Sequence, residues 1–422
     1  MTCSTARPGG RSLCFSLRLL GGFLAVVLLF GCASDAYYQE VEVPPAEMHA
    51  YLDDKPPSLH PYYERVLRQG RRNLVLSQME AGLAAMEYGA YDLAEESFET
   101  ALLNIETVYT DDESARRARL LWYAEGAKDF KGEPYERAMA YYYRGLLFLR
   151  RGDYENARAS FKGGQLQDTL AEEARYRMDF ALLVYLEGWA SHLLGDDDLA
   201  REAFEEVRQI RPDFVPPERG DNVLLLAETG HGPVKIGTGA GDAELRLVRG
   251  SGFTEQSARF DISGAGLLPA YTMEDVYWQA STRGGRQVDA ILQGKVRFKE
   301  THQAMGRALT DVSVQGLLMA PAFGKNADKA AIAAGIVGIL GLTQQAVAGA
   351  TRTEADTRTW RSLPDRVHVL TFQAEPRALD VGVLFYDSRG VELGNLKKWV
   401  KVDFVNRRSG FAWVRSRTAF IE

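Results

Sequence analysis

Among the 422 residues, the side chain with the clearest covalent chemistry is the thiol of Cys32. It closes the run Leu28-Leu29-Phe30-Gly31-Cys32, which has the form of a lipobox: an apolar stretch, a small residue, then cysteine. Met1–Arg18 supplies a basic leader and Leu19–Phe30 a continuous apolar block, of signal-peptide length and too short to span a bilayer comfortably. The expected chemistry is thioether formation with diacylglycerol, followed by cleavage after Gly31.

The two other cysteines, Cys3 and Cys14, lie in the leader. A processed chain would thus keep one cysteine at its own N-terminus, which leaves no intrachain disulfide, cysteine nucleophile or thiolate metal site in the folded body. The first acid after Cys32 is Asp35, and the absence of an acid directly after the cysteine resembles lipoproteins of the outer membrane. Three acyl chains on such a terminus suffice for stable anchoring.

Other constellations are weaker. Gly237-Thr238-Gly239-Ala240-Gly241-Asp242 follows a predicted strand, but it has aspartate where a dinucleotide fingerprint has its last glycine, and it lacks Gly-Lys-Ser/Thr. A hairpin-like turn is expected there. His49, His60, His192, His231, His302 and His368 form no i, i+4 pair, so no metal site and no cofactor is expected. Ser251-Gly252 and Ser263-Gly264 lack a nucleophile elbow. Asp111-Asp112-Glu113 and Asp196-Asp197-Asp198 lack EF-hand spacing and read as helix caps. No catalytic motif is found, and the chain is read as non-enzymatic.

Composition agrees with two globular parts: 46% of residues are hydrophobic and 25% charged. The net charge of −7 would reach −10 once residues 1–31 were removed with Arg7, Arg11 and Arg18. That balance offers no footprint for nucleic acid.

The elements that would carry a partner site follow from periodicity. Residues 32–61 hold Pro44, Pro45, Pro56, Pro57 and Pro61, and that density predicts an extended tether, with Tyr37, Tyr38 or Tyr51 available to pack on the body. Over 62–219 the pattern is helical and repeats itself. Gly82, Gly89, Ala94, Phe98 and Ala101 recur as Gly145, Gly152, Ala157, Phe161 and Gly164, and again as Gly188, Gly195, Ala200, Phe204 and Val207. The offsets from each alanine are −12, −5, 0, +4 and +7.

This spacing resembles the tetratricopeptide repeat, a helical hairpin of about 34 residues. The small residue lets two helices approach, the second glycine ends the first helix, and alanine with phenylalanine packs the second helix back. Pro212 matches the repeat's terminal proline. The alanines stand 63 and 43 residues apart, so the copies are not tandem; an extra helix is expected over Glu113–Gly126, and the array should be irregular with a partner groove.

Past Pro216-Pro217 the alternation predicts strands over Val223–Ala227, Val234–Ile236, Ala243–Val248, Ala258–Ile262, Val288–Leu292, Lys295–Lys299, Arg366–Gln373, Asp380–Asp387, Lys398–Val405 and Phe411–Arg417. The fold class expected is therefore mixed: a tetratricopeptide-like helical array, then an antiparallel-sheet α+β domain over 220–422 with central helices over about 301–360. Within that stretch Ala330–Leu342 is apolar for only 13 residues, which favours a buried helix over membrane insertion through Ala330–Gly349. Asp356, Arg358, Trp360 and Pro364 could form an interaction patch or a structural helix end that closes at the proline.

Three runs carry a wider resemblance: Gly132-Glu133-Pro134-Tyr135-Glu136-Arg137 with Arg151-Gly152-Asp153-Tyr154, then Gly230-His231-Gly232-Pro233-Val234-Lys235, then Glu354 to Pro364. In this order they resemble a family of bacterial outer-membrane lipoproteins with tetratricopeptide-like repeats. The resemblance implies a location and an architecture and no particular reaction. Members are often encoded near lipoproteins that activate peptidoglycan synthases. The expectation is an outer-membrane-anchored, periplasm-facing scaffold for envelope proteins; the alternatives are an envelope enzyme acting on glycan or peptide between its domains, or an export component.

Overall fold

Three glycines end three helices in the left-handed conformation, where the repeat spacing places them: Gly89 at φ 90°, Gly152 at φ 80° and Gly195 at φ 82°. In the computed structural model, which describes residues 40–106, 129–168, 179–238, 244–282 and 356–419, each glycine joins two antiparallel helices. The first hairpin pairs α2 (His60–Tyr88) with α3 (Tyr91–Glu106), the second α4 (Pro134–Arg151) with α5 (Tyr154–Asp168), and the third α6 (Ala181–Leu194) with α7 (Asp197–Ile210). Each helix packs on the next in the series, so the hairpins form one continuous layer.

The small residue twelve positions before each alanine is a steric requirement. A Cβ on Gly145 would lie 2.2 Å from the Phe161 ring, one on Gly188 2.8 Å from Phe204, and one on Gly82 3.1 Å from Phe98. Ala94, Ala157, Phe98 and Phe161 are fully buried, and Ala200 and Phe204 nearly so.

Where proline density predicts an extended tether, the chain instead forms α1 (Pro45–Leu52), followed by a short 3-10 turn over Pro57–Leu59. Proline stands at the first helical position of α1, where its missing N–H has no intrahelical partner to lose and its φ is already helical. Met48, Leu52 and Leu59 enter the same core as the hairpins, and Tyr51 meets Tyr63 edge to face at 6.2 Å.

The C-terminal half is a strongly curled sheet with strand order β5-β4-β8-β9-β10-β1-β7-β6. Its members are β1 (Val223–Thr229), β4 (Glu255–Ile262), β5 (Gly266–Pro269), β6 (Tyr271–Asp275), β7 (Arg366–Phe372), β8 (Leu379–Asp387), β9 (Lys398–Val405) and β10 (Ser409–Arg415). All pairings are antiparallel except β1 with β10. A separate hairpin joins β2 (Val234–Thr238) to β3 (Glu244–Val248), and α8 (Val276–Thr282) follows β6. β5, β6 and α8 are not in the sequence pattern.

Period-two alternation sorts the sheet into two cores. Val223, Leu225 and Ala227 meet Phe260, Val383, Phe385 and Val414 inside the curl. Leu224, Leu226, Phe411 and Met273 face the other way and share a core with the helical hairpins. The cover on the sheet is thus the helical half itself, and the two halves expected to be separate globular parts have a common interior. The central helices expected over 301–360 lie outside the described residues, apart from 356–360, which are not helical. Glu113–Gly126, Val288–Leu292 and Lys295–Lys299 also lie outside them.

Candidate functional site

Among the described residues, three buried carboxylates, Glu228, Glu136 and Glu274, each gather a cluster of donors between the helical layer and the sheet. In the first, Glu228 and Arg415 are register partners on β1 and β10, with Arg415 Nε 3.0 Å from Glu228 Oε2. Tyr142 and Tyr143 donate to the same carboxylate at 3.1 and 3.0 Å, and Trp413 Nε1 at 2.8 Å. Burial raises the pKa of Glu228, an effect Arg415 opposes, and burial first and Glu228 second push both phenols well above the ordinary tyrosine range. Glu228 is 1% exposed and both tyrosines 0%, so the group is enclosed and joins sheet to helix.

The second cluster centres on Glu136 of α4, which accepts from four donors. These are the Glu133 N–H at 2.7 Å, Lys235 Nζ at 2.9 Å, Thr359 Oγ1 at 3.1 Å and the Trp360 N–H at 2.8 Å. Residues from three separate runs of the chain, Glu133 with Glu136, Lys235, and Thr359 with Trp360, therefore meet at a single carboxylate. The surrounding segment is locked in as well. Arg358 pairs with Asp356 at 2.7 Å and donates to Asn73 Oδ1 at 2.7 Å, while Trp360 is fully buried against Tyr143 and Phe98 at 5.6 and 6.2 Å. Pro364 is buried at the start of β7. Asp356, Arg358, Trp360 and Pro364 thus lie in a segment that is irregular over the described residues 356–364, and its side chains tie the sheet to the helices.

The third cluster is Glu274, which accepts the Leu182 N–H at the start of α6 at 3.3 Å, Gln279 Nε2 at 3.1 Å and Arg211 Nη2 at 3.2 Å. Burial pushes its carboxyl up to about 7 against the opposing pull of Arg211.

Open surface of suitable shape lies beside this third cluster. A cleft of about 470 Å³ is walled by Tyr185 of α6, by Phe214, Val215 and Pro216 of the linker after α7, and by Tyr271 of β6. Its floor is Val369–Gln373 of β7. β6 runs alongside β7 only over Arg366–Val369, so among the described residues Leu370–Phe372 have a strand partner on the β1 side alone. The aromatic walls are pre-set: Phe214 lies 5.6 Å from both Tyr185 and Tyr271, and Tyr271 Oη donates to Asp213 at 2.8 Å. Burial, then that bond to Asp213, raise the Tyr271 phenol to about 12. Val215 is 81% exposed at the mouth.

Glu218 and Asp221 stand on the rim, the two carboxylates of this cleft. Asp221 Oδ2 accepts the Glu218 N–H at 3.0 Å and the Asp221 N–H returns to Glu218 O, closing a turn. The cleft can thus take an extended apolar segment along an uncovered strand and offer negative charge at one end. A second cleft of about 560 Å³ lies beside α1, with His49, Asp53 and His60 in its lining. Among the described residues, no three His, Cys, Asp or Glu side chains are grouped to hold a metal ion.

Of the sequence-predicted residues, the nine repeat positions Gly82, Ala94, Phe98, Gly145, Ala157, Phe161, Gly188, Ala200 and Phe204 form the three hairpin contacts. Cys32 and Ala330–Gly349 lie outside the described residues. Of the glycine-rich run Gly237–Asp242, Gly237 and Thr238 lie in β2, paired with Leu245 and Glu244 of β3, and the remaining residues lie outside the described ones. Among the described residues no helix is long and apolar enough to cross a membrane. The cleft itself was not indicated by the sequence, because its walls come from four segments; only the Phe214-Val215-Pro216 linker, apolar but placed after a helix stop, hints at it.

Comparison with family models, with curated proteins and with solved structures finds no match to this chain.

Proposed function

We propose that this chain is a lipid-anchored scaffold of the bacterial outer membrane, facing the periplasm, that holds an extended segment of an envelope protein in the cleft over β7. The observation that carries the reading is the uncovered stretch Leu370–Phe372 beneath an aromatic wall, with Glu218 and Asp221 at its end. Strand addition uses such an edge: main-chain hydrogen bonds supply affinity and flanking pockets choose the side chains. The ligand this favours is an apolar peptide with a basic residue near one terminus.

On this reading the three hairpins are tetratricopeptide-like units, supported by their common offsets, glycine caps and glycine–phenylalanine contacts. The convergence of the three resemblance runs on Glu136 supports reading them as marks of shared architecture. Anchoring rests on the lipobox at Cys32. The fractionation test is Cys32→Ala, which should leave the protein soluble in the periplasm or stalled as a precursor; outer-membrane fractionation without the cysteine would remove the anchor from the proposal. For the cleft, crosslinked recovery from membranes should bring down an envelope protein with the native chain and lose it with Val215→Asp and Leu370→Asp.

A further inference from the structure

The β9–β10 hairpin is a strongly basic stretch of this acidic chain. Lys397-Lys398-Trp399-Val400-Lys401-Val402-Asp403-Phe404-Val405-Asn406-Arg407-Arg408 carries five cationic side chains and one acid. The acid is answered elsewhere, since Asp403 lies 3.6 Å from Arg150 of α4. Among the described residues, no carboxylate lies within ion-pair distance of Lys397, Lys401, Arg407 or Arg408, although Asp380 stands opposite Lys401 in the register.

Strand alternation places Lys397, Trp399 and Lys401 on one face. Trp399 is 64% exposed, set over Gly382 of β8, with the Lys397 ammonium 5.3 Å from its ring centre. A large exposed tryptophan with lysines on either side combines an apolar body with flanking charge. At the tip, Asn406 and Arg407 both take positive φ, 50° and 55°, and Arg408 N bonds Val405 O at 3.0 Å. Asparagine accepts that conformation readily, whereas arginine is strained there and glycine would not be. The fold thus tolerates strain to present a guanidinium at an exposed turn.

We infer that this hairpin docks on an anionic phospholipid surface, with Trp399 entering the headgroup layer and Lys397, Lys401, Arg407 and Arg408 meeting lipid phosphates. Aromatic rings of this amphipathic kind settle at the headgroup level, and lysines beside them keep their charge in water while their stems lie against apolar surface. The inference rests on the lipid-anchor reading, which would tether the chain to a bilayer.

The test is hydroxyl-radical footprinting of the protein as cells process it, mixed with vesicles of phosphatidylcholine or of an equimolar phosphatidylcholine–phosphatidylglycerol mixture. Trp278, 46% exposed, is the internal control. Oxidation of Trp399 should slow with phosphatidylglycerol and not with phosphatidylcholine alone, while Trp278 is unchanged, and high salt should reverse the effect. Lys397→Ala with Lys401→Ala should weaken docking about thirtyfold, and Arg407→Gly about fivefold, at roughly 1 kcal/mol per cation. Arg407→Gly also relieves the strained turn, so a lost signal in that variant is not a folding failure.

Equal protection in both vesicle types, or none in either, overturns the inference. Protection that appears with isolated peptidoglycan instead would overturn it in favour of a glycan partner. Mass spectrometry of Cys32 reports separately on the anchor. If Cys32 carries no lipid, co-flotation of the chain with phosphatidylglycerol vesicles still reads the hairpin, so the two readings fail independently.

Discussion

Lys235 on β2 places its ammonium 2.9 Å from the carboxylate of Glu136 on α4, with both side chains enclosed. The pair joins residues 99 apart in sequence, and the same carboxylate reaches 224 residues along the chain to the Trp360 N–H. Removing one member of such a group leaves buried polar atoms under-satisfied, which costs more than the direct contact supplies. Glu136→Ala takes the shared acceptor from four donors, of which Lys235 keeps only Glu133 at 3.4 Å and Thr359 only weaker contacts with Pro233 O and Tyr135, and should destabilise by about 3–5 kcal/mol. Lys235→Met, which leaves Glu136 three of its donors, should cost less. Urea unfolding of both variants checks the order; equal losses would mean the network is not centred on Glu136.

The hairpin contacts make a graded prediction. Gly145→Ala forces a methyl to 2.2 Å from Phe161, whereas Gly82→Ala meets Phe98 at 3.1 Å, a distance that a small shift relieves. The first should cost about 1–3 kcal/mol and the second less, offset by the better helix propensity of alanine. Phe161→Ala should cost about 3–5 kcal/mol. Near-neutral values for Phe161→Ala and Gly145→Ala would contradict the register.

These contacts also show how much the sequence reveals. Repeat offsets are local, so helix ends at Gly89, Gly152 and Gly195 and buried rings at Phe98, Phe161 and Phe204 can be read from spacing alone. Strands β8 and β9 follow from alternation for the same reason. The meeting of Glu136, Lys235 and Trp360 is not legible, because nothing in three separate stretches tells which charges will face each other across a core. β5 and β6 escape notice since they are short and interrupted by Pro269 and Ala270. The α1 helix was masked by proline density, which signals a breaker only when proline stands beyond the first turn.

Stability should depend on pH through two buried groups of opposite sign. Glu274 is raised from 4.5 to about 7, so the folded protein binds that proton more tightly than the unfolded chain. Its contribution is therefore largest in acid and is lost as pH rises from about 4.5 through 7, by roughly 3 kcal/mol. His368, its ring between Thr229 Oγ1 and Thr272 Oγ1 at 2.9 Å each, is lowered by burial from 6.5 to about 3. Its contribution is complete above 6.5 and is lost as pH falls toward 3, at about 1.4 kcal/mol per unit. Melting curves across pH should show that Glu274→Gln removes the loss toward neutrality and His368→Gln flattens the acid limb. Parallel curves for variants and native protein would contradict both assignments.

The central claim is that the cleft over β7 holds part of another envelope protein. The most direct measurement places a photo-crosslinking amino acid at Val215, 81% exposed at the mouth of the cleft, with the exposed Val391 position, 53% exposed on the β8–β9 connection, as the control. In intact cells the account predicts a discrete adduct from position 215, absent from 391 and abolished by Leu370→Asp in the cleft floor. No adduct at 215, or the same set of adducts from both positions, would contradict it.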